Sequence, residues 1–185
     1  MTENLDLANE INTFRDETRL LSISARFALA MCFLNELGHR FQISGEALDD
    51  FRTHLWASPV LPSNSNDFDL WYNALPPLAL GQLTTGDLLG VTSSTTISAT
   101  DISRFVQAVN LSSDLLQMSF FMAADNEGTY EVLRRISDIC RPERYPSVTP
   151  FKFSTFDKGN GWGAIMSRYD HRFWKRYSET WFKSL

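Results

Sequence analysis

Ile23, Phe27, Ala30, Met31, Leu34 and Leu37 recur at steps of three and four residues, which puts them on one face of an α-helix and marks that face as core. Asp16 and Glu17 suit the positive end of that helix's dipole, and Gly38 stands where a helix stops. The same period returns along the chain. Leu48, Phe51 and Leu55 form a second stripe, with Ser44 as a cap ahead of Glu46 and Pro59 as the terminator. Asn66 is placed to cap a short helix that holds Asp67 and Asp69 in its first turn, shows Phe68, Trp71 and Tyr72 inward, and ends at Pro76 and Pro77. Ile102, Phe105, Val109, Leu116 and Phe120 define a long helix opened by Ser98 and Asp101, which are spaced like a capping box. After Asp125-Asn-Glu-Gly128, a stripe of Leu133, Ile136 and Cys140 runs to Pro142, with Arg134, Arg135 and Arg141 near its negative end.

Two stretches lack that period. Between Leu78 and Ala99, glycines and a Thr/Ser run break up any long element, which reads as loop plus one short helix, with a strand pair as the alternative. The segment from Arg141 to Gly163 is aperiodic but rich in aromatics, and aromatic side chains favour burial, so it reads as an ordered loop packed on the body. Within it, Gly159-Asn-Gly161-Trp-Gly163 reads as a backbone turn using positive φ. Phe173, Trp174, Tyr177 and Trp181 then stand on one face of a closing helix, capped by Ser167 with Asp170 three residues on. The expected architecture is one all-α domain over residues 1–185, of about six helices, with a long ordered aromatic loop before the last.

Length and composition agree with that architecture. With 185 residues, 43% hydrophobic and 21% charged, the chain carries enough apolar surface for one packed core. Cys32 and Cys140 are far apart in apolar stripes, as core thiols of a reducing compartment are, and no apolar run reaches membrane length. The start, with Glu3, Asp6 and Glu10, lacks the basic flank of a signal peptide, so the expected address is cytoplasmic. A net charge of −5 argues against nucleic acid or an anionic membrane as the general partner. The charge is unevenly laid out. Residues 61–130 hold seven acids against one base, whereas residues 131–185 hold eleven bases against six acids.

Catalytic chemistry finds little to build on. His39, His54 and His171 have no partner at metal-ligand spacing, and neither a Gly-x-Ser-x-Gly elbow nor a P-loop string is present. Asp67 and Asp69, two apart on a helix, diverge too far to share a proton or a metal. No catalytic residue, cofactor or metal site is assigned. Arg168, Arg172, Lys175, Arg176 and Lys183 interleave with aromatics in the manner of a nucleic-acid surface, but an amphipathic core helix with a basic outside accounts for the same pattern.

The strings Ala123-Ala-Asp-Asn-Glu-Gly128, Ser147-Val-Thr-Pro-Phe-Lys-Phe-Ser154 and Gly161-Trp-Gly163 make the chain resemble a family of small all-helical bacterial proteins. That family is similar to the immunity proteins encoded beside polymorphic or type VI secreted toxins. The resemblance covers about the last third of the chain by motif, and no catalytic signature comes with it. It implies a bacterial protein that binds one cognate toxin and blocks it by occlusion. On that reading Asp67, Asp69, Asp87, Asp125 and Glu127 would steer a basic toxin, and an exposed Trp71 or Trp162 would anchor it. The alternatives are a small enzyme with a pocket beside residues 145–163, using Asp125, Glu127 or His171, and a nucleic-acid or regulatory module using the basic last helix.

Overall fold

The computed structural model describes residues 2–58, 65–76, 97–121 and 124–184, the side chains at 2–8, 65–68, 118–121 and 184 excepted. Among them the chain is all-helical: α1 (Thr2–Thr18), α2 (Ile23–Arg40), α3 (Glu46–Ala57), α4 (Ser65–Asn73), α5 (Ala99–Phe121), α6 (Asn126–Cys140) and α7 (Arg168–Thr180). The sole β pairing among the described residues is an isolated bridge between Leu21 and Thr155. The expected loop and short helix of residues 78–99 fall mostly outside the described residues.

Helix α2 is the hub. It packs against α5, α6 and α7, and α5 packs against α6. Every residue from Ile23 to Gly38 is buried, so the apolar stripe seen in the sequence is one part of a helix covered on all sides. Phe27, Leu29, Phe33 and Leu34 lie in the same core as Phe105, Val109, Leu116, Leu133, Ile136 and Trp174. Cys32 and Cys140 are free thiols in that core, as expected.

The start of α2 differs from expectation. Asp16 and Glu17 do not open it; they end a separate α1, and Glu17 pairs with Lys152 at 2.6 Å. Ser22 is the true cap, accepting from the Ala25 amide at 3.2 Å. The break is held from across the chain. Ser22 N–H donates to Ser154 O at 2.9 Å and Phe156 N–H to Leu20 O at 3.0 Å, so the aromatic loop satisfies the main chain between the two helices. Gly38 does not stop α2 either. The helix runs to Arg40 and turns out through Gln42 at φ 54°. Gly38 serves close packing instead, because a Cβ there would lie 3.2 Å from the Arg52 guanidinium. Likewise α3 begins after Gly45, not Ser44, and makes no side-chain cap bond. Helix α4 begins at Ser65, so Asn66 lies inside it.

Other caps follow the local sequence. Asp125 accepts from Gly128 N–H at 3.0 Å and opens α6. Ser98 accepts from Asp101 N–H at 3.1 Å. Ser167 and Asp170 form a complete capping box on α7. At the negative end of α6, the cation is not Arg134, which pairs with Glu131 and Asp138. Arg104 reaches over from α5 and donates to Ile139 O at 2.9 Å, and Arg40 of α2 donates to Cys140 O and, at 2.9 Å, to Arg141 O.

The long loop is ordered and aromatic, as expected. Phe151 is fully buried, its ring 5.0 Å from Trp174 and 5.6 Å from Tyr177, and Trp174 Nε1 donates to Pro150 O at 3.0 Å. Gly159, Asn160, Gly161 and Gly163 all take positive φ. At Gly163 the reason is space, since a Cβ would fall 2.1 Å from Ser154 Oγ and 2.6 Å from Ser22 Oγ.

Candidate functional site

The acidic residues singled out in the sequence divide between two places. Asp125 and Glu127 open α6, beside the glycine turn that carries Trp162, because Gly161 packs so tightly on Ala124 that a Cβ would sit 2.6 Å from it. Asp69 and Trp71 lie on α4, which docks on α3. Asp87 and the side chain of Asp67 lie outside the described residues.

Trp71 is not an exposed anchor: it is 5% exposed and stacks on His54 with ring centroids 5.1 Å apart. Trp71 Nε1 donates to His54 O and His54 Nε2–H to Trp71 O, each at 2.9 Å. This reciprocal clamp holds α4 to α3, and burial lowers the His54 pKa. Trp162 is half-buried against the core. The Asp125 carboxylate is engaged as a helix cap. Glu127 is exposed, 3.6 Å from Arg19, and Asp69 is exposed.

Behind Asp125 and Glu127 lies a group that the sequence reading passed over. Arg26 is completely buried on α2, and it has no carboxylate in contact. Its guanidinium instead donates to Thr18 O at 3.3 Å, Arg19 O at 2.8 Å, Asn126 O at 2.7 Å, Asn126 Oδ1 at 2.6 Å and Thr129 Oγ1 at 2.7 Å. Five acceptors match the five N–H groups of the fork. Burial lowers its pKa to about 10, opposed by the charges of Glu127, Tyr130 and Asp125. The arginine thus ties the α1–α2 break to the first turn of α6. A lone charge inside the run Ile23-Ser-Ala-Arg-Phe-Ala-Leu was the available signal.

The remaining reactive side chains are occupied structurally. His171 Nε2–H donates to Trp56 O at 2.6 Å, and the His39 ring packs on Phe182 at 5.0 Å. Burial drives the Cys140 thiol up to about 12, which suppresses the nucleophilic thiolate. Among the described residues, no group of three or more His, Cys, Asp or Glu side chains is placed to hold a metal, and no helix is long and apolar enough to cross a membrane.

The outer face of α7 has a different character. At 100° per residue, Tyr169, Arg172, Phe173 and Arg176 lie opposite the buried pair Trp174 and Ser178. The expectation that Phe173 shares the inner face with Trp174 therefore fails: Trp174 is fully buried whereas Phe173 is 45% and Tyr169 79% exposed. Just before the cap, Ile165 is wholly exposed. Arg168, Arg172 and Arg176 are exposed around these side chains. Of the large hydrophobics strongly exposed among the described residues, Phe153, Ile165, Tyr169 and Phe173 all come from the loop and α7; Leu20 and Leu70 are elsewhere. Aromatic side chains flanked by arginine are the composition of a contact surface. No family model, curated protein or solved structure matches the chain.

Proposed function

We propose that this chain is an immunity-type protein, which binds a cognate bacterial toxin and neutralises it by covering the toxin's active surface. The observation that carries the reading is the outer face of α7, where Tyr169 and Phe173 project into solvent beside Arg172 and Arg176. Exposing aromatic rings to water is unfavourable, and the loss is recovered when a partner covers them. The face is also rigid. Trp174, fixed by Phe151 and by its hydrogen bond to Pro150 O, holds the helix from behind, so little backbone freedom is lost on association.

This placement shifts the contact away from the acidic residues proposed on charge grounds. A surface bearing Arg168, Arg172 and Arg176 suits an acidic, apolar-centred patch on the toxin. Asp69, Asp125 and Glu127 then act at a distance, through the long-range field that orients a partner before contact.

The test is co-expression with the product of the neighbouring reading frame, followed by titration of the purified pair. Tyr169→Ala with Phe173→Ala is expected to weaken binding about a hundredfold, as loss of two hot-spot side chains does, and to abolish protection of the cell. A pair that does not associate overturns the reading. The interleaved arginines and aromatics also suit single-stranded nucleic acid. Salt-sensitive binding of an oligonucleotide, lost in the same double variant, would replace the protein partner with that ligand.

A further inference from the structure

A second site lies on a different side of α7, where the end of α2, the middle of α3, and the second half of α7 with the turn after it line an open pocket of about 500 Å³. That volume falls within the range of small-molecule sites. One wall is apolar, formed by Ile43 and by Phe182, with the His39 ring packed at a tilt 5.0 Å from Phe182. The other walls carry Arg52, Lys175 and Lys183 against two carboxylates, Asp49 and Glu179.

These charges are not matched. Arg52 Nη1 holds Asp49 at 3.3 Å, which uses one carboxylate. Among the described residues, neither Lys175 nor Lys183 has a carboxylate within 4.0 Å, and the buried Arg52 Nε has no acceptor. Gly38 leaves the room that lets the Arg52 guanidinium lie against α2, and burial lowers its pKa, with Asp49 and Glu179 as the opposing counter-charge. The negative end of α2 adds no further counter-charge, because Leu37 O, Gly38 O and His39 O already accept from the amides of Phe41, Ile43 and Gln42.

We propose that this pocket binds a small organic anion, a carboxylate or phosphate monoester whose planar apolar body lies on the Phe182–His39 wall and whose headgroup is gripped by Lys175, Lys183 and Arg52. Cationic side chains converging on a pocket bind an anionic headgroup through charge-assisted hydrogen bonds, and an adjacent aromatic ring adds selectivity for ring-bearing ligands. The site is independent of the outer face of α7, since Lys175 points to another side of the helix from Tyr169 and Phe173.

The intact chain, labelled with ¹⁵N, is titrated with phenyl phosphate, benzoate and the neutral benzyl alcohol while amide shifts are followed; inorganic phosphate and acetate, in separate arms, show which headgroup the cations prefer. The expected result is a saturable shift confined to residues 35–53 and 175–183 with an anionic ring compound and not with benzyl alcohol. Lys175→Gln with Lys183→Gln raises Kd by about tenfold or more, while the circular dichroism stays that of the parent chain. Equal shifts from benzyl alcohol, an unchanged Kd in the double variant, or no saturable shift up to about 10 mM ligand overturns the proposal.

Discussion

Helices α2 and α7 pack against each other, yet they are stabilised in different ways. Helix α2 is buried from Ile23 to Gly38, with aromatic, aliphatic and thiol side chains facing every neighbour. Helix α7 buries only Trp174 and Ser178 fully, and relies on a complete capping box at its start. Asn35 of α2 donates to Ser178 O at 3.1 Å, and Trp181 Nε1, just past α7, donates to Cys32 O at 3.1 Å. A helix covered on all sides has no surface left for a partner. A helix attached along one narrow seam keeps most of its circumference available for binding. The division of labour in this molecule follows from that difference: α2 holds the fold, and α7 presents both the exposed aromatic face and one side of the charged pocket.

Substitutions separate the two helices by size of effect. Phe33→Ala on α2 removes a fully buried ring and is expected to cost about 3–5 kcal/mol, measured by denaturant unfolding. A cost under about 1 kcal/mol would mean that α2 is not enclosed as described. Arg26→Ala leaves the acceptors at Thr18, Arg19 and Asn126 without their donor and is expected to cost about 3 kcal/mol. Trp181→Ala, at the edge between the helices, is expected to cost about 2 kcal/mol; a change of a few tenths would place the turn after α7 outside the core. Ser167→Ala removes the cap and is expected to cost about 1 kcal/mol.

The smallest effects sharpen the same comparison. Tyr169→Ala and Phe173→Ala, on the exposed face, are expected to change stability by under about 0.5 kcal/mol each. A larger loss would show that those rings support the fold and are not held free for a partner. On α2, burial raises the Glu36 pKa, partly offset by Arg40. The folded chain therefore keeps the Glu36 proton to higher pH than the unfolded chain. The stability this provides is complete below the ordinary Glu value of 4.5 and declines as pH rises through the raised folded value. Glu36→Gln should flatten that decline in pH-dependent unfolding; a variant with the same pH slope as the parent would show that Glu36 is effectively solvated.

The elements were largely legible in the residues, and their exceptions are instructive. The stripes at 48–55 and 102–116, the capping box at Ser167 and Asp170, and the packed aromatic loop all appear where the pattern puts them. The break between α1 and α2 does not announce itself, because the groups that satisfy its main chain, Ser154 and Phe156, are over a hundred residues away. The candidate surfaces were much less legible. Trp71 looked like an anchor but is locked to His54, and Phe173 looked like core but projects outward.

Local interactions account for what the amino-acid order determined on its own. Helical period, capping and turn glycines act within about one turn of helix, so a reader of neighbouring residues can see them. The tertiary structure decided which of two adjacent aromatics enters the core, where Arg26 finds five acceptors, and which three cations meet around a pocket. Those outcomes depend on desolvation and on partners brought together by folding. Neither quantity has a period along the chain.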